Sequence, residues 1–299
     1  MPAFSLASHL HYLWLVPLGL AVGAVGTLIG AGGGFILAPV LLLLFPDEGS
    51  LVISTISLAV VFLNALSGSI AYARLRRIHY PSGLIFAAAS VPGAILGATL
   101  VKLVPREVFA RVLGTLLTAM AAYLLLHRHA EGPEEKHAAG PEGGAEPHVH
   151  EARAAPAGPD PGKAGPLTGG PTHPLPLVPP YSRILACAIS FVVGVASSLL
   201  GIGGGIIHVP FMVKVLKFRT HVATATSHFV LAIMAGAGTA VHVVEGDFHT
   251  GAFRTLFLGA GVLAGAQAGA ALSTRLHGKW IIRCLAVALI FVGVRTLFA

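Results

Sequence analysis

Apolar residues in this chain gather into runs separated by short polar or glycine-bearing stretches. In the first half the runs are 12–29, 35–45, 51–73, 84–101 and 108–126, and in the second 184–200, 206–216, 222–244, 252–272 and 280–298. Each half therefore has five segments in the same order. The second of each five is only about 11 residues, which at ~1.5 Å per residue falls well short of the ~30 Å of bilayer hydrocarbon. Such a segment either returns as a re-entrant arm or completes a tilted crossing. The pattern predicts an all-α polytopic membrane protein made of two five-segment repeats with glycine-broken or re-entrant helices.

The interruptions repeat too. Gly30-Ala31-Gly32-Gly33-Gly34 precedes Pro39, and Gly201-Ile202-Gly203-Gly204-Gly205 precedes Pro210, with 171 positions between the two copies. Gly68 and Gly238, like His79 and His249, are 170 apart; Gly93 and Gly265, like Gly97 and Gly269, are 172 apart. A nearly constant offset marks a duplication. It divides the chain into a first membrane repeat (1–128), a joining stretch (129–180) and a second repeat (181–299). Gly, Pro, Ala, Glu and His dominate the joining stretch, which lacks the apolar surface to offset its ordering entropy and is expected to be a flexible cytoplasmic linker. Its histidines are irregularly spaced and no cysteine joins them, so a solvated tether is preferred to a metal site.

Composition excludes a soluble domain: 55% of residues are hydrophobic, 10% are charged and the mean hydropathy is +0.82. The excess of 19 Lys and Arg over 12 Asp and Glu sits at segment ends, which reads as orientation in a membrane and not as nucleic-acid affinity. Five crossings per repeat invert the second repeat, whereas four would not. Inversion places Arg74, Arg76, Arg77, Lys214, Lys217, Arg219, Arg275, Lys279 and Arg283 on one face, against Lys102, Arg106, Arg111, Arg254 and Arg295 on the other. By the positive-inside rule the richer face is cytoplasmic, in the inner (plasma) membrane. Cys187 and Cys284 fall within spans and make no disulfide framework. The first segment lacks a positive start, so no cleavable signal is expected. No Asp or Glu lies mid-span, which argues against a cation pathway.

Three consecutive glycines between apolar arms leave backbone N–H groups that protein, water or a ligand must satisfy at membrane depth. Arms starting near Phe35 and Ile206 aim helix N-termini at the gap, a geometry that favours an anion. No strand precedes either phrase and no Lys-Ser/Thr closes it, unlike a soluble phosphate loop.

The doubled phrase, the proline after it, the Ser/Thr-rich segment that follows and the two-half layout resemble the sulfite exporter TauE/SafE family, also called TSUP permeases. The resemblance covers both halves but not the linker. It implies a permease, and in direction an exporter, for small sulfur-containing anions such as sulfite or organosulfonates. Composition and spacing do not themselves identify sulfur. The candidate binding set is Gly30, Gly32, Gly33, Gly34, Ser54, Thr55, Ser57, Gly201, Gly203, Gly204, Gly205, Thr224, Thr226, Ser227 and His228. Amides of Gly32, Gly33, Gly34, Gly203, Gly204 and Gly205 would donate, with the hydroxyls completing the shell. The plainer reading of those hydroxyls is back-bonding or helix glue. His208 and His228, matched by Leu37 and Leu58, are candidates for proton coupling. Asn64 and Gln267 read as interhelical hydrogen-bonders, His79 and His249 as interface residues, and the Gly-xxx-Gly pairs as packing. Expected partners are a small anion, the lipid bilayer and protons, with no nucleic acid, metal or cofactor; the oligomeric state stays open. A passive anion channel is the alternative, and an intramembrane enzyme is disfavoured because no H-E-x-x-H or G-x-S-x-G is present.

Overall fold

The computed structural model describes residues 12–126, 181–249, 251–274, 290–291 and 293–295. The linker, most of the last apolar segment, Cys284, Arg275, Lys279 and Arg283 lie outside the described residues. The helices are α1 (Leu15–Ile29), α2 (Gly34–Leu44), α3 (Ser50–Arg74), α4 (Tyr80–Leu100), α5 (Arg106–Leu126), α6 (Arg183–Leu200), α7 (Gly205–Lys214), α8 (Thr220–Val244) and α9 (Ala252–Leu272), with a 3-10 turn at Val101–Leu103. All described regular structure is helical. Five stretches are long and apolar enough to cross a membrane: Ser50–Arg74, Tyr80–Leu103, Arg183–Leu200, Thr220–Val244 and Ala252–Leu272. Boundaries follow local chemistry: Pro81 sits in the first turn of α4, Ser182 accepts the Leu185 N–H at the start of α6, and Gly30 and Gly201 end α1 and α6 with left-handed backbones.

Close helix approach is made by small residues. Gly19 and Gly23 of α1 lie against Leu258 and Val262 of α9, while Gly265 and Gly269 lie against Leu20 and Ala24. Numbers rise together, so α1 and α9 are parallel. The same register holds for Gly93 and Gly97 of α4 against Phe191 and Val195 of α6. Along α3 and α9, Ile56 meets Gly251, Leu63 meets Gly259 and Gln267 donates to the Ser67 carbonyl at 2.9 Å, again in parallel. Against α8 the order reverses, with Gly68 at His228 and Leu58 at Gly238. The starts of α4 and α8 meet where the His79 N–H reaches Thr226, and their ends where Lys102 pairs with Glu245, so α1, α3 and α9 run one way and α4, α6 and α8 the other, each of the six opposite to its counterpart in the other repeat.

Both short arms turn back. Arg254 lies 5.7 Å from the Tyr12 ring and 4.1 Å from the Phe45 ring, so the start of α1 and the end of α2 share one end of the molecule. Tyr181, before α6, and Phe218, after α7, have ring centroids 5.7 Å apart at the opposite end. Each pair is therefore a hairpin that returns to the end from which it starts. The first end carries Glu48, Lys102, Arg106, Glu245, Asp247 and Arg254, tied by ion pairs Arg254–Glu48 (2.6 Å), Lys102–Glu245 (2.9 Å) and Lys102–Asp247 (3.0 Å). Arg106 caps the carbonyl end of α2 through Leu42 and Phe45. The other end carries Arg74, Arg76, Arg77, Lys214, Lys217 and Arg219. These are called the acidic and basic ends below.

Candidate substrate-binding site at the paired helix breaks

The two glycine phrases meet. A Cβ added at Gly34 would strike the Gly201 carbonyl and Ile202, and one at Gly205 would strike the Gly30 carbonyl and Ala31. All ten residues of the phrases are buried. Val61 and Leu231 lie against them, Val61 at Gly32, Gly34 and Gly203 and Leu231 at Gly32 and Gly205. These two residues are repeat counterparts, each the twelfth residue of a 25-residue helix. The breaks thus meet halfway along α3 and α8 and are closed over by apolar side chains in this conformation.

Backbone geometry decides which amides are free. In the first break Gly30, Gly32 and Gly33 have φ of 85°, 78° and 80°, a region that penalises any residue with a Cβ. The N–H groups of Gly30, Ala31 and Gly32 all reach the Gly26 carbonyl, between 2.9 and 3.2 Å. Those of Gly33, Gly34 and Phe35 find no acceptor among the described residues. In the second break Gly204 donates to Ser197 Oγ at 2.7 Å, and the amides of Gly203, Gly205 and Ile206 are free among the described residues. Ser197 is the counterpart of Gly26, which explains the asymmetry: one break has a hydroxyl to hold its amide and the other has none. Gly32 and Gly204 therefore already have partners, and Phe35 and Ile206 join the free donors. Sequence reasoning missed those two because only the helix N-terminus exposes them.

The hydroxyls behave differently from one another. Ser57 donates to the Gly201 carbonyl and Ser227, its counterpart, to the Gly30 carbonyl at 3.1 Å, while Ser54 donates to Ser198 O at 2.9 Å. Each has one proton, so these serines tie one repeat to the broken end of the other. Thr226 Oγ1 accepts the His79 N–H at 3.0 Å, toward the basic end, and Thr224 packs on Gly30. Thr55 Oγ1 is buried without a partner. His228 Nε2 lies 3.3 Å from Thr27 Oγ1, whose hydroxyl meets Asn64 Oδ1 at 3.0 Å; the Tyr72 hydroxyl donates to Thr27 O at 2.8 Å. Thr27 precedes the first break by a single turn, so His228 sits beside the site. His208 instead pairs with Ser190 Oγ at 3.2 Å, one turn beyond the second break. Asn64 and Gln267 make the interhelical bonds expected of them.

Residues 15–296 match the sulfite exporter TauE/SafE family. The chain belongs to this family. It is 31% identical over 299 residues to the probable membrane transporter protein YunE of Bacillus subtilis strain 168, covering 97% of this chain and 98% of that one. The probable membrane transporter protein MJ0441 of Methanocaldococcus jannaschii is 29% identical over 131 residues, 40% of this chain and 49% of its own. A probable membrane transporter protein of Xylella fastidiosa strain Temecula1 is 25% identical over 262 residues, 87% and 84% of the two chains. No solved structure matches. With its apolar helices and its family, the chain is a multi-pass membrane transporter.

Proposed function

We propose that this transporter carries small sulfur-containing anions, sulfite or organosulfonates, outward across the inner membrane. The carrying observation is the set of free amides at Gly33, Gly34, Phe35, Gly203, Gly205 and Ile206, buried where two helix N-termini meet. Such donors favour negative charge, and oppositely directed halves that share one site are the architecture of alternating access. The family's description as sulfite exporters supports the substrate class, and the positive-inside rule supports a cytoplasmic basic end and linker. Val61 and Leu231 must part for an anion to reach the amides, so the cycle includes their movement.

His228 is the ionisable side chain beside the site, and a proton moves with the anion through it or through His208. Proteoliposomes loaded with radiolabelled sulfite give the test. Saturable, sulfite-selective flux is expected, with sulfite raising the melting midpoint of the purified protein more than sulfate or taurine does. Flux far above ~10³ per second would point to a channel. No flux of any sulfur anion would end the proposal. Sulfite-driven proton flux unchanged in both His208→Ala and His228→Ala would remove the coupling alone.

A further inference from the structure

The two ends share one plan with opposite charges. At an offset of 170, Tyr72 corresponds to His242 and Arg77 to Asp247. The same backbone bond closes both turns, Arg77 N–H to Tyr72 O at 3.2 Å and Asp247 N–H to His242 O at 2.9 Å. At the acidic end the carboxylate is neutralised: Lys102 Nζ is 3.0 Å from Asp247 and 2.9 Å from Glu245, and His242 Nδ1 is 3.3 Å from Asp247. The counterpart of Lys102, at an offset of 172, is Thr274, whose hydroxyl donates to Ala271 O at 2.7 Å. Arg77 thus stands in the place of a paired acid, with no acid to pair among the described residues.

Among the described residues none lies at this end. Outside residues 129–180 the carboxylates are Asp47, Glu48, Glu107, Glu245 and Asp247, and every one belongs to loops or helix starts at the acidic end. Arg77 is half-buried, and its Nη1 is closed off from solvent with no hydrogen-bond partner. Its charge acts on the Tyr72 phenol, which also meets the Ser273 hydroxyl and packs with Ala71, Ala225, Ala270 and Ile78. A desolvated guanidinium N–H without an acceptor is costly, and its planar fork fits two oxygens of one oxyanion.

We propose that Arg77 is a second anion-binding station, at the basic end, which holds a sulfur oxyanion before it passes Tyr72 and Thr27 to the amides of the first break. This rests on the transport reading above. In the ion-paired acidic end the protein supplies both charges; at the basic end the substrate supplies the missing one. A lipid phosphate carries the same chemistry, so the test has an arm for each.

Sulfite uptake is measured against concentration in proteoliposomes for wild type, Arg77→Gln and Arg77→Lys. Arg77→Gln is expected to raise KM roughly ten-fold or more with Vmax little changed, and Arg77→Lys to recover part of the loss, because charge returns without the fork. In phosphate-free maltoside detergent, sulfite should raise the melting midpoint of wild type more than that of Arg77→Gln. Stabilisation that depends on Arg77 with phosphatidylglycerol but not with sulfite would overturn the proposal in favour of a lipid contact. Equal KM in all three proteins would overturn it and leave the transport reading standing, whereas absence of flux in wild type would take both down. Should Arg77→Gln not fold, Arg77→Lys decides by the same KM comparison.

Discussion

Gly33 and Gly246 hold the same left-handed backbone, with φ of 80° and 78°, in opposite surroundings. A Cβ at Gly33 would come within 2.8 Å of Val22 Cγ1 and 2.9 Å of the Val22 carbonyl, whereas nothing lies within 4 Å of one at Gly246. Gly246→Ala should therefore show only backbone strain, about 1–2 kcal/mol. Gly33→Ala should add overpacking of about 1–3 kcal/mol. Comparing the unfolding of the two purified variants checks this, and equal losses would mean that Gly33 does not touch Val22. Ser57 and Ser227 make a second residue-level case. Alanine at either leaves a buried glycine carbonyl of the opposite break without its donor, at a cost of about 1–3 kcal/mol, and the two losses should be similar because the sites are counterparts. The sequence offset pairs these serines correctly, but their direction was not legible. Hydroxyls near a glycine phrase read as ligand donors until one sees that the phrase beside each of them belongs to the other repeat, arriving from the other end.

At the scale of elements, the nine described helices lie close to the apolar runs because a glycine or charged residue ends nearly every run. What the runs left open was whether the short arms turn back or cross. Either choice gives an odd number of crossings per repeat, so charge counting could not distinguish them; the meeting of the breaks beside Val61 and Leu231, each halfway along a 25-residue helix, does. Ion pairs at the acidic end also join elements of different repeats: Lys102 follows α4 while Glu245 and Asp247 follow α8, and Glu48 precedes α3 while Arg254 lies in α9. If the repeats rock against each other, these pairs must open for access from that end. Partly exposed ion pairs contribute little singly, about 0–1 kcal/mol, but several acting together bias a conformational equilibrium. In a background lacking Cys187 and Cys284, Thr55→Cys should label slowly with a maleimide applied from the acidic end. The combination Lys102→Ala with Glu48→Gln should speed that labelling several-fold. Restored protection on exchanging charges, Lys102→Glu with Glu245→Lys and Asp247→Lys, would tie the effect to the pairs; unchanged labelling in all variants would show that they do not gate this end.

For the whole molecule, the decisive property is that counterpart helices run in opposite directions while their special residues converge. A duplicated chain with parallel halves would place both broken hairpins at one end, their tips side by side and their free amides pointing the same way. Here α1–α2 enters from the acidic end and α6–α7 from the basic end. Gly34 abuts Gly201 and Gly205 abuts Gly30, so the two helix N-termini contribute donors to one buried region. The charge pattern was legible from sequence because it needs only the residue types at segment ends. The interlocked tips were not, because they depend on which helices pair across the repeats, α1 with α9 and α6 with α4, through glycine stripes that look alike in one dimension. The arrangement makes a topological prediction. With native cysteines removed, Gly246→Cys, at the acidic end, should react with a membrane-impermeant maleimide applied to intact spheroplasts, while Arg76→Cys, at the basic end, should react only in inverted vesicles. Labelling of both positions from the same side would mean that the opposed halves do not face opposite sides of the bilayer, and alternating access through the paired breaks would lose its geometric basis.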